Sequence, residues 1–84
     1  MTSGPIPLYG FLEGDTLGLL ILAYGHETIQ NLAEKLQRSA QVRVPPMKRF
    51  KLIYQNQELD LALTVEKAKI QALDRFDVRI VYDL

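Results

Sequence analysis

Three features of the sequence predict an α+β fold, and a mixed sheet of four to five strands packed on one main helix is one of several arrangements they allow. Two apolar stretches flank Glu13-Gly14-Asp15-Thr16, a tight-turn signal. A single segment beginning at Thr28 carries apolar residues at helical spacing. The second half returns to period-two alternation at Phe50–Gln55 and from Phe76 onward. The predicted order is β-β-α-β-β-β.

Ile6–Leu12 and Leu17–Tyr24 form the arms of the first hairpin. In the second arm Leu17, Leu19, Ile21 and Ala23 point one way, and Leu20 and Leu22 the other. An isolated hairpin cannot bury both faces, so something must cover them. The register of the first arm stays open: either Ile6 and Leu8 or Tyr9 and Phe11 point inward, and a slip of one residue exchanges the two sets.

Thr28 is a good N-cap, and Glu27 beside it suits the positive end of a helix dipole. Ile29, Leu32, Ala33, Leu36 and Ala40 then make one apolar face, and the helix must stop before Pro45-Pro46. Phe50–Gln55 is a strand, Gln55-Asn56-Gln57 a turn, and Glu58–Leu59 a short strand. Thr64–Ala68 is expected to form one capped turn anchored by Ile70. Residues 1–5 are expected to be a flexible leader, and residues 6–84 a single domain.

Composition narrows the function classes. Eighty-four residues make one domain, and 48% hydrophobic with 24% charged residues is ordinary globular composition. Ten basic and ten acidic side chains cancel, so no global field draws the chain to nucleic acid or an anionic membrane. Cysteine is absent, which removes disulfides, thiolate nucleophiles and cysteine-based metal sites. The start lacks signal-peptide character, and Leu19–Ala23 is far too short to span a bilayer; a cytoplasmic location is expected.

The second half carries a resemblance. Val44-Pro45-Pro46, Leu52-Ile53-Tyr54, Gln57-Glu58-Leu59-Asp60, Leu63-Thr64-Val65 and Ile70-Gln71 resemble ubiquitin in order and spacing. The hairpin at Leu12–Thr16 and the helix start Thr28-Ile29 look like their ubiquitin counterparts, so the resemblance covers roughly residues 6–82 and implies a ubiquitin-like β-grasp fold. The sequence ends Val81-Tyr82-Asp83-Leu84 without the di-glycine that conjugation needs, so a covalent modifier is not expected. Leu12 and Ile53 match the leucine and isoleucine of ubiquitin's recognition patch, but Asp77 and Arg79 stand where it has histidine and valine. Ubiquitin's own receptors are therefore not expected to bind well.

Two bacterial families look closer. Pro7, Glu13-Gly14-Asp15, Leu17–Ala23 and Ala33-Glu34-Lys35 resemble the TmoB-like family, the small subunit of multicomponent diiron monooxygenases that oxidise toluene and related aromatic hydrocarbons. The YukD-like family of type VII secretion shares the long helix and Pro-Pro but matches the first hairpin less well. The TmoB-like resemblance implies a non-catalytic structural subunit with no cofactor of its own. Its larger partner, the diiron hydroxylase α subunit, would hold the metal. The YukD-like resemblance implies an adaptor in secretion or signalling.

The residues themselves show little that looks catalytic. His26 is the one histidine, placed in a loop with Glu27 as its neighbour, whereas a metal site needs three or four ligands. Glu13 with Asp15, Glu58 with Asp60, Glu66, and Asp74 with Asp77 lie at turns or outward positions, where solvated charge is the ordinary role. No phosphate-binding glycine loop, Gly-x-Ser-x-Gly or His-Glu-x-x-His occurs. Lys35, Arg38, Arg43, Lys48, Arg49 and Lys51 form an acid-free basic stretch, either a solvated helix end and loop or a patch that orients a protein partner. Leu20 and Leu22 facing outward define an apolar patch, with Ile53 contributing from the other edge. The expected protein-binding residues are Leu12, Leu20, Leu22, Arg49, Lys51 and Ile53.

Overall fold

Strand pairing in the first hairpin settles its register. In the computed structural model, which describes residues 4–15, 17–40 and 49–81, β1 (Ile6–Leu12) pairs antiparallel with β2 (Gly18–Ala23). Leu8, Gly10 and Leu12 point inward, and Tyr9 and Phe11 outward. Gly10 holds an inward position because the Phe76 ring and Leu36 fill the space beneath it. A Cβ there would stand 2.8 Å from Phe76 Cζ and 2.9 Å from Leu36 Cδ1. At the turn, Gly14 adopts φ 91°, a conformation glycine enters without steric cost. Leu17, expected on the inner face, precedes the strand and is exposed.

α1 (Ile29–Ala40) starts where capping chemistry places it: Thr28 Oγ1 accepts the Asn31 N–H at 3.1 Å. Its buried residues are Ile29, Leu32, Ala33, Leu36 and Ala40, the face expected from the spacing. Pro45-Pro46, Arg43 and Lys48 lie outside the described residues, as do residues 1–3 of the leader.

β3 (Phe50–Tyr54) turns through Gln55 and Asn56, both with positive φ (52° and 64°), into β4 (Gln57–Glu58). That two-residue turn pairs Tyr54 with Gln57, so β4 begins one residue earlier than expected and Gln55 belongs to the turn. Thr64 caps the next turn, accepting the Lys67 N–H on Oγ1 at 3.2 Å and the Ala68 N–H on its carbonyl at 3.0 Å. Val65 and Ile70 anchor this segment in the core.

β5 (Arg75–Ile80) lies in the middle of the sheet, parallel to β1 and antiparallel to β3, giving the order β2-β1-β5-β3-β4. This is a β-grasp: one mixed five-stranded sheet curled over one helix. Leu8, Leu12, Ile21, Leu52, Phe76 and Val78 from the sheet meet Ile29, Leu32 and Leu36 in a single core. Among the described residues, no helix is long and apolar enough to cross a membrane.

Candidate protein-docking surface

The helix covers one face of the sheet, and the other face holds the candidate site. Register fixes its rows. Leu22 of β2 lies opposite Pro7, Leu20 lies opposite Tyr9, and Tyr9 in turn lies opposite Arg75. Gly18, Phe11, Asp77, Ile53 and Glu58 make the next row, and Arg79 with Lys51 the last.

Leu20 (59% exposed), Leu22 (51%) and Tyr9 (44%) therefore form a contiguous apolar cluster at the β2 edge. Ile53 and Lys51 are half-buried on β3, and exposed Arg49 immediately precedes that strand. Two strands separate them from Leu20, a distance of about 14 Å at ordinary strand spacing. The structure thus brings Leu20 and Leu22 together, and groups Ile53, Lys51 and Arg49 apart from them.

Leu12 is a correction. It is 3% exposed and packs in the core, because it shares the inward parity of Leu8 and Gly10. It cannot contribute to an outer-face contact.

A polar divide separates the two groups. The Phe11 ring lies over Gly18, where an added Cβ would meet Phe11 Cζ at 2.5 Å. Arg75 stacks on that ring, 4.0 Å from its centroid, and pairs with Asp77 at 3.0 and 3.3 Å. Beyond Asp77, Lys51 and Arg79 stand directly opposite each other, a like-charge placement that costs stability in a sheet. An anionic partner surface would relieve that repulsion.

Tyr9 and Arg75 belong to this surface but escape a reading by sequence alone, whereas the ubiquitin resemblance already points to Arg79. Tyr9 is hidden by the open register of β1. Arg75 matters only once β5 is known to lie centrally, between β1 and β3.

The support under the site is ionic and hydrogen-bonded. Glu27 accepts the Tyr24 N–H at 2.8 Å, the Asn31 side-chain amide at 3.1 Å and Lys35 Nζ at 2.7 Å. Partial burial pushes its carboxyl up. The Lys35 hydrogen bond, the Tyr24 N–H and the charges of Lys35 and His26 outweigh that, and hold it below the usual carboxylate range. Toward the β3 end of the same sheet face, Tyr54 donates its hydroxyl to Asp74, which also accepts the Gln71 N–H at 3.0 Å. That bond, with partial burial and the Asp74 charge, raises the Tyr54 pKa to about 12.

His26 is exposed beside the Tyr24 ring, 5.9 Å between centroids. Among the described residues, no group of three or more His, Cys, Asp or Glu is placed to hold a metal ion. This surface has two parts, an apolar edge and a basic flank.

Topology, helix and exposed sheet face together define a ubiquitin-like protein. The particular family follows from sequence: residues 5–80 match the model of toluene-4-monooxygenase system protein B (TmoB), and the chain belongs to that family. No curated protein is significantly similar in sequence. A chain of the toluene 4-monooxygenase HD complex with the inhibitor 4-bromobenzoate superposes with TM-score 0.84 at 17% identity, over 92% of this chain and 99% of that one. Ubiquitin of Caldiarchaeum subterraneum does so with TM-score 0.75 at 18% identity, over 95% and 98%. A chain from a structure of SUMO mimicry in DNA repair gives 0.76 at 17%, over 93% and 94%. At these identities the superpositions establish the fold. The family match selects the TmoB-like expectation over the YukD-like one.

Proposed function

We propose that this chain is the small, non-catalytic structural subunit of a bacterial multicomponent aromatic-hydrocarbon monooxygenase, working in the cytoplasm. It docks its outer sheet face on a larger partner, the diiron hydroxylase α subunit. It carries no cofactor of its own, because the diiron centre belongs to the partner. Neither nucleic acid nor membrane takes part.

The observation that carries this reading is the family match over residues 5–80, combined with the exposed Leu20, Leu22 and Tyr9 cluster. Monomers seldom expose a contiguous apolar cluster without a use, and its burial against a partner contributes about 25 cal/mol per Å2 before association costs. The basic flank of Arg49, Lys51 and Arg79 with Ile53 suits an acidic partner surface and would supply orientation.

The test is affinity capture of the tagged chain from its native cell, with the bound proteins identified. The expected result is a stoichiometric diiron hydroxylase. Recovery of secretion components instead, with no hydroxylase, would overturn the proposal.

A further inference from the structure

Arg75 is fixed from two sides although 63% of its side chain is exposed. Its guanidinium stacks on the Phe11 ring, and that ring is seated on Gly18, where even a Cβ would collide with it. Asp77 accepts Arg75 Nε at 3.0 Å and Nη2 at 3.3 Å, so one edge of the guanidinium fork is filled. The end-on edge, Nη1 with the second N–H of Nη2, has no acceptor among the described residues. A surface arginine is thus held in place while most of its donors stay unused.

Arg75 lines a hollow of about 420 Å3 between the end of β3 and the start of β5, together with Ile53, Asn56, Asp74, Asp77 and Arg79. Both of its carboxylates are committed: Asp74 accepts the Tyr54 hydroxyl and the Gln71 N–H, and Asp77 accepts Arg75. Its cationic donors are not. Arg79 is exposed, has no partner among the described residues and stands opposite Lys51, which has none either.

We infer that this hollow receives the side-chain carboxylate of an acidic residue of the docked protein. The end-on edge of Arg75 holds it in two parallel N–H···O bonds, with Arg79 as the second cation. Asp77 already shows this guanidinium bonding a carboxylate through two nitrogens. A dianionic phosphate fits less well, because Asp74 and Asp77 stand in the same hollow and repel the second charge. The place also suits an anchor. Arg75 is opposite Tyr9, which is opposite Leu20, and Arg79 is opposite Lys51, so the hollow lies between the apolar edge and the basic flank. Anchors of protein interfaces concentrate at such central positions, and a preorganised arginine loses little freedom on binding. The inference rests on the outer face being the docking face, and adds the chemical group that its centre selects.

The experiment uses the full 84-residue chain and glutamate blocked at both ends, N-acetylglutamate α-methylamide, at constant ionic strength. Guanidinium resonances are followed by NMR. Arg75 and Arg79 should shift along one saturating curve with Kd on the order of 10 mM, the strength of a single charge-assisted pair. Exposed Arg38 should shift only in linear proportion to the probe. The blocked glutamine analogue should leave all three unmoved, and inorganic phosphate should bind no tighter than the blocked glutamate. Arg75→Lys keeps the charge and loses the fork, so it should weaken binding by at least about tenfold. In the complex with the hydroxylase the same variant should dissociate about tenfold faster at an unchanged association rate, because steering needs only the charge.

Absence of saturation at Arg75 up to about 100 mM probe overturns the inference. Equal binding of the glutamine analogue, or undiminished binding by the Arg75→Lys variant, does the same. Tighter saturation by inorganic phosphate overturns it in favour of a phosphate ligand. Because the titration uses the isolated chain, it decides the hollow whether or not affinity capture returns a hydroxylase.

Discussion

The Arg75 guanidinium lies 4.0 Å from the centroid of the Phe11 ring, and this stack divides the outer sheet face into an apolar edge and a basic flank. On the basic side Lys51 opposes Arg79 across β3 and β5. Like charges held opposite one another lower stability, and a surface that retains them trades stability for recognition.

Lys51→Glu should therefore stabilise the isolated chain by about 0.5–1 kcal/mol, by converting repulsion into a cross-strand ion pair. The same change should slow association with the hydroxylase, because steering charges act mainly on the on-rate. Denaturant unfolding and stopped-flow binding read the two effects separately. A variant that loses both stability and binding would contradict this account of the flank.

Gly10→Ala should destabilise by about 1–3 kcal/mol, because its Cβ would enter the space of Phe76 and Leu36 within a packed core. Gly18→Ala should cost less, since the Phe11 ring it displaces lies on the open face and can swing away. Thermal unfolding of the two variants ranks them.

Tyr54 and Asp74 set a pH signature. The Tyr54 pKa is raised to about 12, above the unfolded value near 10, so its contribution is complete below pH 10 and disappears as pH rises through 12. Asp74 is shifted the other way by the Tyr54 and Gln71 hydrogen bonds against partial burial, so its contribution disappears as pH falls through its lowered value. Tyr54→Phe should cost about 1 kcal/mol at neutral pH and remove the alkaline limb. Ultraviolet titration of tyrosinate, compared with stability at matched pH, checks both.

Glu27→Gln should cost about 2–3 kcal/mol at neutral pH, the scale of charge-assisted hydrogen bonds lost at a nearly buried carboxylate. The folded-state pKa is depressed, so the wild-type advantage is present above the unfolded carboxylate pKa. It fades as pH falls through the folded value. Equal losses at pH 3 and pH 7 would contradict the ionic role.

Helix α1 was legible almost residue by residue, because Thr28 caps it and its apolar spacing admits one face. The register of β1 was not. Tyr9 and Phe11 compete with Leu8 as core candidates by size, and glycine at position 10 hides the alternation. Contact with Leu36 and Phe76, 26 and 66 positions later in the chain, explains that glycine. The likeness of Leu12 to a ubiquitin leucine points to the surface, and strand parity buries it instead. Leu20 and Leu22 were readable as outward because β2 has strict period-two geometry. The Tyr54–Asp74 bond joins residues 20 apart, and the Lys35–Leu22 bond joins a helix to a strand edge; neither leaves a local signal.

Docking on a diiron hydroxylase through the Leu20–Leu22 cluster is most directly tested by native mass spectrometry of the coexpressed pair. The wild-type chain should form a stoichiometric complex. Leu20→Asp with Leu22→Asp should weaken it by at least about 30-fold, or about 2 kcal/mol, while unfolding stability stays within about 0.5 kcal/mol. A complex that survives the double substitution unchanged, or one that never forms with the wild-type chain, would contradict the account.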